Sequence, residues 1–314
     1  MNYFFVELLS KIVSLCAMLS INPKDLAIPQ LHGYLLGAVG PRPIAFASTI
    51  DENGYANLAP FSFFNVFSAN PPIMVFSPAR SGRTNETKDT FKNVKKIKEV
   101  VINIVDYKMV HKMSLASSPY APNIDEFTKA GFTKLESDTI RPYRVAESPV
   151  QFECVVNDII ELGHEGGAGN LVICEVKKIH IDEKVLGADG KIDQHKIDLV
   201  SRMGGNWYCR ADENSMFEIK KPITTCGIGI DKMPTDILNS TILTGNDLGQ
   251  LGGVEELPNE TDVNEYKLIE LSDVFVELED HQAKLEIELH KKAKHLLEQN
   301  KLEEAWMTLL AFNN

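Results

Sequence analysis

Short apolar runs separated by turn residues constrain the fold of this 314-residue chain more than any other feature. The run at 44–50 and the run at 55–64 are joined by Asp51-Glu52-Asn53-Gly54, a four-residue sequence typical of a hairpin loop. Only short helices are predicted between the strand-like runs, among them one at about 90–96. Short strands with few helices favour an antiparallel barrel over a parallel α/β sheet. The predicted strands cover residues 44–50, 55–64, 73–77, 100–105, 151–162 and 171–181.

The glycine-rich stretch at 163–169 looks like a nucleotide-binding loop but lacks the context of one. Rossmann and P-loop motifs place their glycines before a helix, whose N-terminus holds the phosphate. Here a predicted strand follows the glycines, so the sequence argues against a dinucleotide-binding fold. It also contains no Gly-x-Ser-x-Gly or His-Glu-x-x-His motif, the usual signatures of serine hydrolases and zinc proteases.

The net charge of −12 is concentrated near the C-terminus. Residues 255–314 hold 15 acidic and 6 basic residues, which leaves the first 254 residues close to neutral. Binding to duplex nucleic acid requires a broad basic surface, so we expect no nucleic-acid partner.

Residues 1–20 are apolar, but Glu7 and Lys11 interrupt them. The uncharged run is too short to span a bilayer, so we predict an amphipathic helix, or a true start at Met18, and a cytoplasmic protein without a membrane anchor. The five cysteines are widely spaced, without a CxxC pair or metal-ligand spacing. We interpret them as buried thiols of a reducing compartment, and we predict no metal site.

Three segments follow from these patterns: an N-terminal extension over 1–20, a barrel over 21–222, and a loop-rich then helical extension over 223–314. Residues 293–306 of the extension resemble the hinge of one tetratricopeptide repeat. Because a lone repeat cannot bury its own apolar face, the prediction is a helical hairpin docked on the parent domain or on a second copy. A separate recruitment module is the alternative.

The stretch 80–90 is the richest polar cluster, with three cations and several hydroxyls before a predicted helix. Charge-assisted donors and a free helix N-terminus suit a phosphate, although a solvated basic loop is the simpler interpretation. A phosphorylated ligand would also need a flat apolar surface. The first hairpin offers Ala45, Ala47 and Ala59 for close approach of a planar ring, and packing alone explains these small residues equally well.

Two runs carry a resemblance to the flavin reductase-like family: GPRPIAFASTID at 40–51 and NLAPFSFFN at 57–65. Supporting likeness continues through Lys88-Asp89-Thr90, at 148–154 and at 202–208, and the resemblance covers residues 21–222. It implies a mainly β fold, an FMN-binding split β-barrel with short helices, here followed by the C-terminal helical extension. It also implies a homodimer.

The resemblance further implies the residues that contact FMN. The isoalloxazine edge would be lined by Ala47, Ser48 and Thr49. Contacts from the adjoining strands would come from Asn57, Ala59, Ser62 and Ser77. The ribityl and phosphate oxygens would be held by Arg83, Lys88 and Thr90.

One position departs from many relatives, which place a histidine just before the strand that follows the second hairpin loop. Asn170 stands there, and we predict that it binds substrate, since an amide can hydrogen-bond a carboxamide but does not titrate near neutral pH. The expected function is an FMN-dependent NAD(P)H:flavin reductase serving free flavin or a partner monooxygenase or other electron acceptor. No catalytic acid or base is assigned. The alternative is a flavin-binding carrier or interaction protein without NAD(P)H oxidation, whose acidic tail recruits a partner.

Overall fold

The computed structural model describes residues 18–121, 124–219 and 221–313. The chain divides into two compact units, Met1–Phe217 and Glu218–Asn314, and the predicted boundary at 222 lies slightly further along. The predicted helix over 1–20 lies almost entirely outside the described residues. Among the described helices, none has the length and apolar character to cross a membrane. The cytoplasmic location stays a prediction.

The first unit is built mainly from strands, with short helices between them. Its strands are β1 Ala45–Ile50, β2 Ala56–Phe61, β3 Phe64–Ala69, β4 Pro72–Phe76, β5 Glu99–Asn103, β6 Lys134–Leu135, β7 Arg144–Val145, β8 Val150–Glu161, β9 Asn170–Ile181, β10 Val200–Arg202 and β11 Tyr208–Arg210. Its α-helices are α1 Ile28–Ala38, α2 Asp89–Ile97, α3 Val110–Ala116 and α4 Glu126–Ala130.

Seven strands form one antiparallel sheet in the order β2-β1-β5-β8-β9-β4-β3. Its two edge strands are consecutive in the chain and are joined by only Ser62 and Phe63. Three Cα–Cα steps of about 3.8 Å keep Phe61 and Phe64 within about 11 Å, so the sheet must curl until its edges meet. The Phe61 ring accordingly lies 5.6 Å from the Phe76 ring of β4.

This closed sheet is the split barrel, and the fold prediction is confirmed. The predicted strand at 55–64 is wrong at its end, because the chain turns there and β3 begins on the opposite edge of the sheet. No glycine or proline marks the turn itself, so the apolar run looks continuous in the sequence.

The two faces of the sheet have separate cores. Side chains alternate along a strand, so Ala45 and Ala47 of β1 point into the barrel while Phe46 points outward. The interior is filled from β1, β3, β4, β5, β8, β9 and α2, and helices α3 and α4 cover the outer face. The inner residues are Ala45, Ala47, Phe64, Met74, Phe76, Val94, Val100, Ile102, Cys154, Val156, Val172, Cys174 and Val176.

Glu153 of β8 is a buried anchor for the loop that precedes β7. Its carboxylate accepts hydrogen bonds from the Asp138 N–H at 2.8 Å, the Thr139 N–H at 2.7 Å and the Thr139 hydroxyl, and it lies 2.7 Å from His180 Nε2. Burial by itself raises the pKa of Glu153, but these donors outweigh it and hold the pKa at about 2. Asp138, Glu153 and His180 are grouped closely enough to suggest a metal site. Because the Glu153 oxygens are already occupied, we interpret the group as structural.

The cysteine prediction holds for the barrel interior only. Cys154 and Cys174 are free buried thiols, and burial raises the pKa of Cys154 to about 12. For the other two described cysteines the prediction of burial is wrong, because Cys209 is half-buried and Cys226 is exposed. Cys16 lies outside the described residues.

The second unit contains helices and no strand among its described residues, and the stretch 223–263 is more than half loop, as the sequence predicts. That stretch contains two α-helices and the start of a third, and the helical region that follows it is interrupted at 278–281. The helices are α5 Thr235–Leu238, α6 Gly245–Leu251, α7 Glu260–Glu270, α8 Ser272–Glu277, α9 Gln282–Glu298 and α10 Leu302–Leu310.

The predicted helical hairpin is present as α9 and α10, and it packs on α5 and α6 of its own unit. Trp306 is fully buried there and donates its indole N–H to the Leu251 carbonyl at 3.1 Å. The apolar clusters of this unit draw only on residues 228–312, whereas those of the barrel stop at 200. Each unit therefore has a core of its own.

Candidate functional site

A cluster of two threonines and two asparagines joins the first hairpin to α2. Thr49 and Asn57 are cross-strand partners on β1 and β2, and Thr90 and Asn93 lie on α2. Asn57 Nδ2 donates to Thr90 Oγ1 at 2.8 Å and approaches Thr49 Oγ1 at 3.4 Å, while Asn93 Nδ2 donates to Thr49 Oγ1 at 3.1 Å. This hydroxyl–amide cluster fixes the first turn of α2 against the barrel.

The N-terminus of α2 has no side-chain cap, although the Phe91 N–H of its first turn donates to the Lys88 carbonyl at 3.0 Å. Lys88 occupies the N-cap without a capping side-chain hydrogen bond, so the first N–H groups of the helix have no side-chain acceptor. Within the described ranges, no carboxylate pairs with Lys88 or with Arg83. Arg80 is different, because its guanidinium donates to the Asn85 side chain at 2.8 Å and to the Asn85 carbonyl at 2.7 Å. Of the three cations, two remain available to a ligand and one supports the loop.

The glycine-rich loop before β9 packs directly on this cationic loop. The Arg80 N–H donates to the Ala168 carbonyl at 2.9 Å, and the Gly167 N–H donates to the Arg80 carbonyl at 3.1 Å. A Cβ atom on Gly166 would lie only 3.0 Å from the Ser81 carbonyl oxygen. Glycine at 166 therefore permits close backbone approach, which is the physical role of this glycine-rich stretch.

Ser77 and Asn170 lie side by side in the wall of the barrel. The Asn170 N–H donates to Ser77 Oγ at 3.0 Å, and Asn170 Nδ2 donates to the Pro78 carbonyl at 2.8 Å. Asn170 is fully buried, and its Oδ1 atom has no hydrogen-bond partner in the described part of the chain. A Cβ on Gly169 would lie 2.9 Å from Ser77 Oγ, so this corner is closely packed. The substrate-binding role of Asn170 stays a prediction, now with one unsatisfied acceptor to support it.

The predicted flavin contacts of the first hairpin do not all share a face. Ala47 and Ala59 are cross-strand partners on the same face as the hydroxyl–amide cluster. Ser48 pairs with Leu58, and both side chains point to the opposite face, where the Ser48 hydroxyl is buried without a partner among the described residues. Ser62 lies in the link between β2 and β3. On the inner face, Ser48 therefore presents its backbone and not its side chain.

Sequence reasoning missed two residues of the site. Asn93 follows Thr90 by three positions and so shares its face of α2, a spacing that could have revealed it. Glu126 of α4 accepts the Leu58 N–H at 3.0 Å, and burial raises the pKa of this carboxyl. No local pattern in the sequence connects Glu126 with β2.

The class of protein defined by this closed seven-stranded antiparallel sheet, with a cationic helix N-terminus beside its first hairpin, is the split-barrel flavoproteins. Residues 38–196 match the family model described as flavin reductase like domain. The chain belongs to the flavin reductase-like family.

Similar proteins match the barrel at nearly full length. A curated, uncharacterized protein of Halalkalibacterium halodurans is 35% identical over 206 residues, which is 65% of this chain and 97% of that protein. Nitrilotriacetate monooxygenase component B from Bacillus cereus has a TM-score of 0.61 and 33% identity, over 65% of this chain and all of that one. The 2-nitrobenzoate 2-nitroreductase NbaA of Pseudomonas fluorescens has a TM-score of 0.59 and 27% identity, over 67% of this chain and all of that one.

Proposed function

We propose that this protein is an FMN-binding oxidoreductase that takes a hydride from NADH or NADPH and passes the electrons to free flavin or to a partner acceptor. Membership in the flavin reductase-like family supports the flavin. One observation carries the choice of FMN over unphosphorylated flavin. The uncapped N-terminus of α2 suits a phosphate dianion, because Lys88 is its N-cap residue, Arg83 stands in the loop that leads to it, and neither has an acidic partner among the described residues.

The residues present fit such a cofactor. Arg83, Lys88 and the first N–H groups of α2 would hold the phosphate, and the hydroxyl–amide cluster would receive the ribityl hydroxyls. Ala59 is half-buried and leaves room for a ring to approach the backbone of β2, whereas the Ala47 side chain is fully buried in the barrel interior. The bound flavin supplies the capacity to accept a hydride, that is two electrons with one proton, and the protein supplies position and electrostatics.

The proposal is tested first on the wild-type protein. Purified protein should absorb in the flavin bands or acquire them when FMN is added, and heating should release FMN. Steady-state oxidation of NADH or NADPH should then depend on FMN. Bound flavin without oxidation of either nucleotide would favour the alternative of an electron carrier, and protein that binds no FMN would contradict both.

We also propose a homodimer, because an edge strand of the barrel presents large apolar side chains. Val66 and Phe67 of β3 are 57% and 68% exposed on that edge. Phe67→Asp is expected to convert a dimer into a monomer in sedimentation velocity, since it places a charge in an apolar interface. Tyr55→Asp, at an aromatic residue 56% exposed near the first hairpin turn, is the matched control and should remain dimeric. Dimers of unchanged stability in Phe67→Asp would remove β3 from the interface.

A second candidate function assigns the helical unit to partner recruitment. Residues 255–280 contain ten acidic residues and a single lysine. Among them, Leu268 of α7 and Val276 of α8 are 74% and 75% exposed, and an acidic surface with exposed apolar residues suits a basic partner protein. The name of the Bacillus cereus neighbour, a monooxygenase component, makes a monooxygenase one such partner to test.

Deletion of residues 218–314 tests the recruitment role by itself, because the barrel clusters contain no residue of that unit. If the unit recruits a partner, the shortened protein should keep FMN binding and NAD(P)H oxidation but lose transfer to the partner enzyme. Loss of FMN binding on deletion would contradict a role of the helical unit in recruitment alone.

A further inference from the structure

Helix α1 is apolar yet has no buried residue. Apart from its last residue it precedes the segment that matches the family model. An apolar helix without a buried face must be held by something other than a core of its own. The question is therefore what fixes α1 and what it lies against.

Arg42 holds the C-terminal end of α1. Its guanidinium donates to the Leu36 carbonyl at 2.8 Å, to the Val39 carbonyl, and to the Met203 carbonyl at 2.9 Å. The side chain is only 6% exposed, and it binds carbonyls at the negative end of the helix dipole. A Cβ on Gly204 would lie 3.1 Å from Gly37 Cα, so helix and turn also touch through backbone.

The N-terminal end of α1 rests on the candidate site. Ile28 and His32 are four residues apart and share one face of the helix. A Cβ on Gly167 would lie 3.2 Å from Ile28 Cγ2, and the His32 ring lies edge-on to Phe63 with centroids 6.4 Å apart. The N-terminal end of α1 therefore lies against Gly167 and the Phe63 ring, whereas its C-terminal end is fixed by hydrogen bonds from Arg42.

The two contact points are joined by a continuous row of site residues. The Ser77 N–H donates to the Phe63 carbonyl at 2.8 Å, Ser77 Oγ accepts from the Asn170 N–H, and Asn170 follows the glycine loop that contains Gly167. The Ile28–His32 face of α1 therefore runs from one end of this row to the other. The unsatisfied Asn170 Oδ1 belongs to the row.

We propose that α1 is a cover for the electron-donor subsite, hinged at Arg42, and that His32 contacts the donor. The inference rests on the proposed function. A planar donor with a carboxamide, such as a dihydronicotinamide, supplies the N–H that Asn170 Oδ1 lacks and a flat ring for His32. The N-terminal end of α1 moves aside to admit it, and Arg42 keeps the other end in place. Arg42 is a positioning residue, since it acts through the helix.

The test measures anaerobic reduction of FMN-loaded protein by NADH and NADPH in a stopped-flow instrument. His32→Ala is expected to raise the apparent Kd for the nucleotide about tenfold, with the Kd for FMN changed less than twofold. His111→Ala, at an exposed histidine of α3, is the matched control and should change neither. An unchanged nucleotide Kd in His32→Ala, or an equal rise in the Kd for FMN, would overturn the assignment of His32.

Hydrogen exchange on flavin-free protein tests the hinge without activity. Arg42→Gln should speed exchange at least tenfold over 28–38 and also over 163–170, and it should raise the nucleotide Kd in the loaded protein. Arg42→Lys should restore part of both effects, and His32→Ala should leave exchange over 28–38 unchanged. If Arg42→Gln alters exchange in α1 but not the nucleotide Kd, the cover role is wrong.

Different results would contradict the proposed function and the role of α1. Wild-type protein that binds no FMN, or whose flavin neither nucleotide reduces, contradicts the reductase and the donor subsite together. A wild-type protein reduced normally, with variants that behave like it, overturns the role of α1 alone.

Discussion

Replacing Arg83 and Lys88 together with alanine is expected to weaken FMN binding about 100-fold or more and to leave riboflavin binding within about threefold. Both cations are exposed and without an acidic partner in the described chain; Lys88 is the N-cap residue of the uncapped helix α2, and Arg83 stands in the loop before it. A charge-assisted hydrogen bond contributes roughly 1.5–3 kcal/mol, so two contribute about 3–6 kcal/mol, and the lower limit already corresponds to about 150-fold. Riboflavin has no phosphate and loses none of this. Fluorescence titration with the two flavins measures the difference.

The matched control removes two other lysines from the same helix. Lys92 pairs with Asp89 at 2.8 Å and Lys95 with Glu161 at 2.7 Å, so neither is available to a ligand. The double variant Lys92→Ala, Lys95→Ala loses the same charge and should bind FMN almost as the wild type does. If both double variants weaken FMN binding equally, the loss comes from the overall electrostatic field of the protein and not from contacts of Arg83 and Lys88. If riboflavin weakens as much as FMN, the loop does not hold the phosphate.

Replacing Glu153 with glutamine is expected to lower the free energy of unfolding at pH 7 by about 3 kcal/mol. The carboxylate is fully buried, and glutamine would turn an NH₂ group toward donors that need an acceptor. The pKa of Glu153 is about 2 in the folded protein against 4.5 ordinarily, and each unit corresponds to about 1.4 kcal/mol. Because the folded pKa is the lower one, this stability is complete above about pH 4.5 and is lost as the pH falls toward 2.

Urea unfolding at pH 7 and at pH 3 measures both parts of this prediction. Wild-type and variant proteins should differ most at pH 7 and by clearly less at pH 3, where part of the stability contributed by the ionised carboxylate is already lost. Glu161→Gln is the matched control, at an exposed position of the same strand whose salt bridge to Lys95 should contribute less than about 1 kcal/mol. A constant difference between wild type and Glu153→Gln at both pH values would show that lost packing, not charge, is responsible.

The parts of the structure that local interactions determine are visible in the sequence. The Asp51 carboxylate accepts from the Asn53 and Tyr55 N–H groups at 2.9 and 2.8 Å, and Gly54 has a φ of 84°. These residues define the first hairpin turn, and the turn sets the register that pairs Thr49 with Asn57. Half of the hydroxyl–amide cluster therefore follows from a turn of four residues.

What the sequence conceals depends on contacts between distant segments. The turn at Ser62 exists because the barrel closes there, and the surrounding apolar residues would equally suit one long strand. Asn93 joins the cluster only when α2 packs on the barrel. The role of Arg42 in holding the C-terminal end of α1 is visible only when the turn at Met203 lies beside that helix. The outward direction of Ser48 is a different case. It follows from the two-residue period of a strand and is visible in the sequence itself.

The strand order also determines when the barrel is able to form during synthesis. Strand β4 pairs with β9, so that Ile73 lies opposite Glu175, roughly a hundred residues later in the chain. Until β9 has left the ribosome, β4 of the β3–β4 hairpin lacks its second partner strand. During this stage the apolar residues of the hairpin are protected from aggregation only by chaperones or by the short duration of the stage. Once residue 181 has emerged, every strand of the seven-stranded sheet is present. Translation therefore delivers a complete barrel sheet before the acidic helices exist.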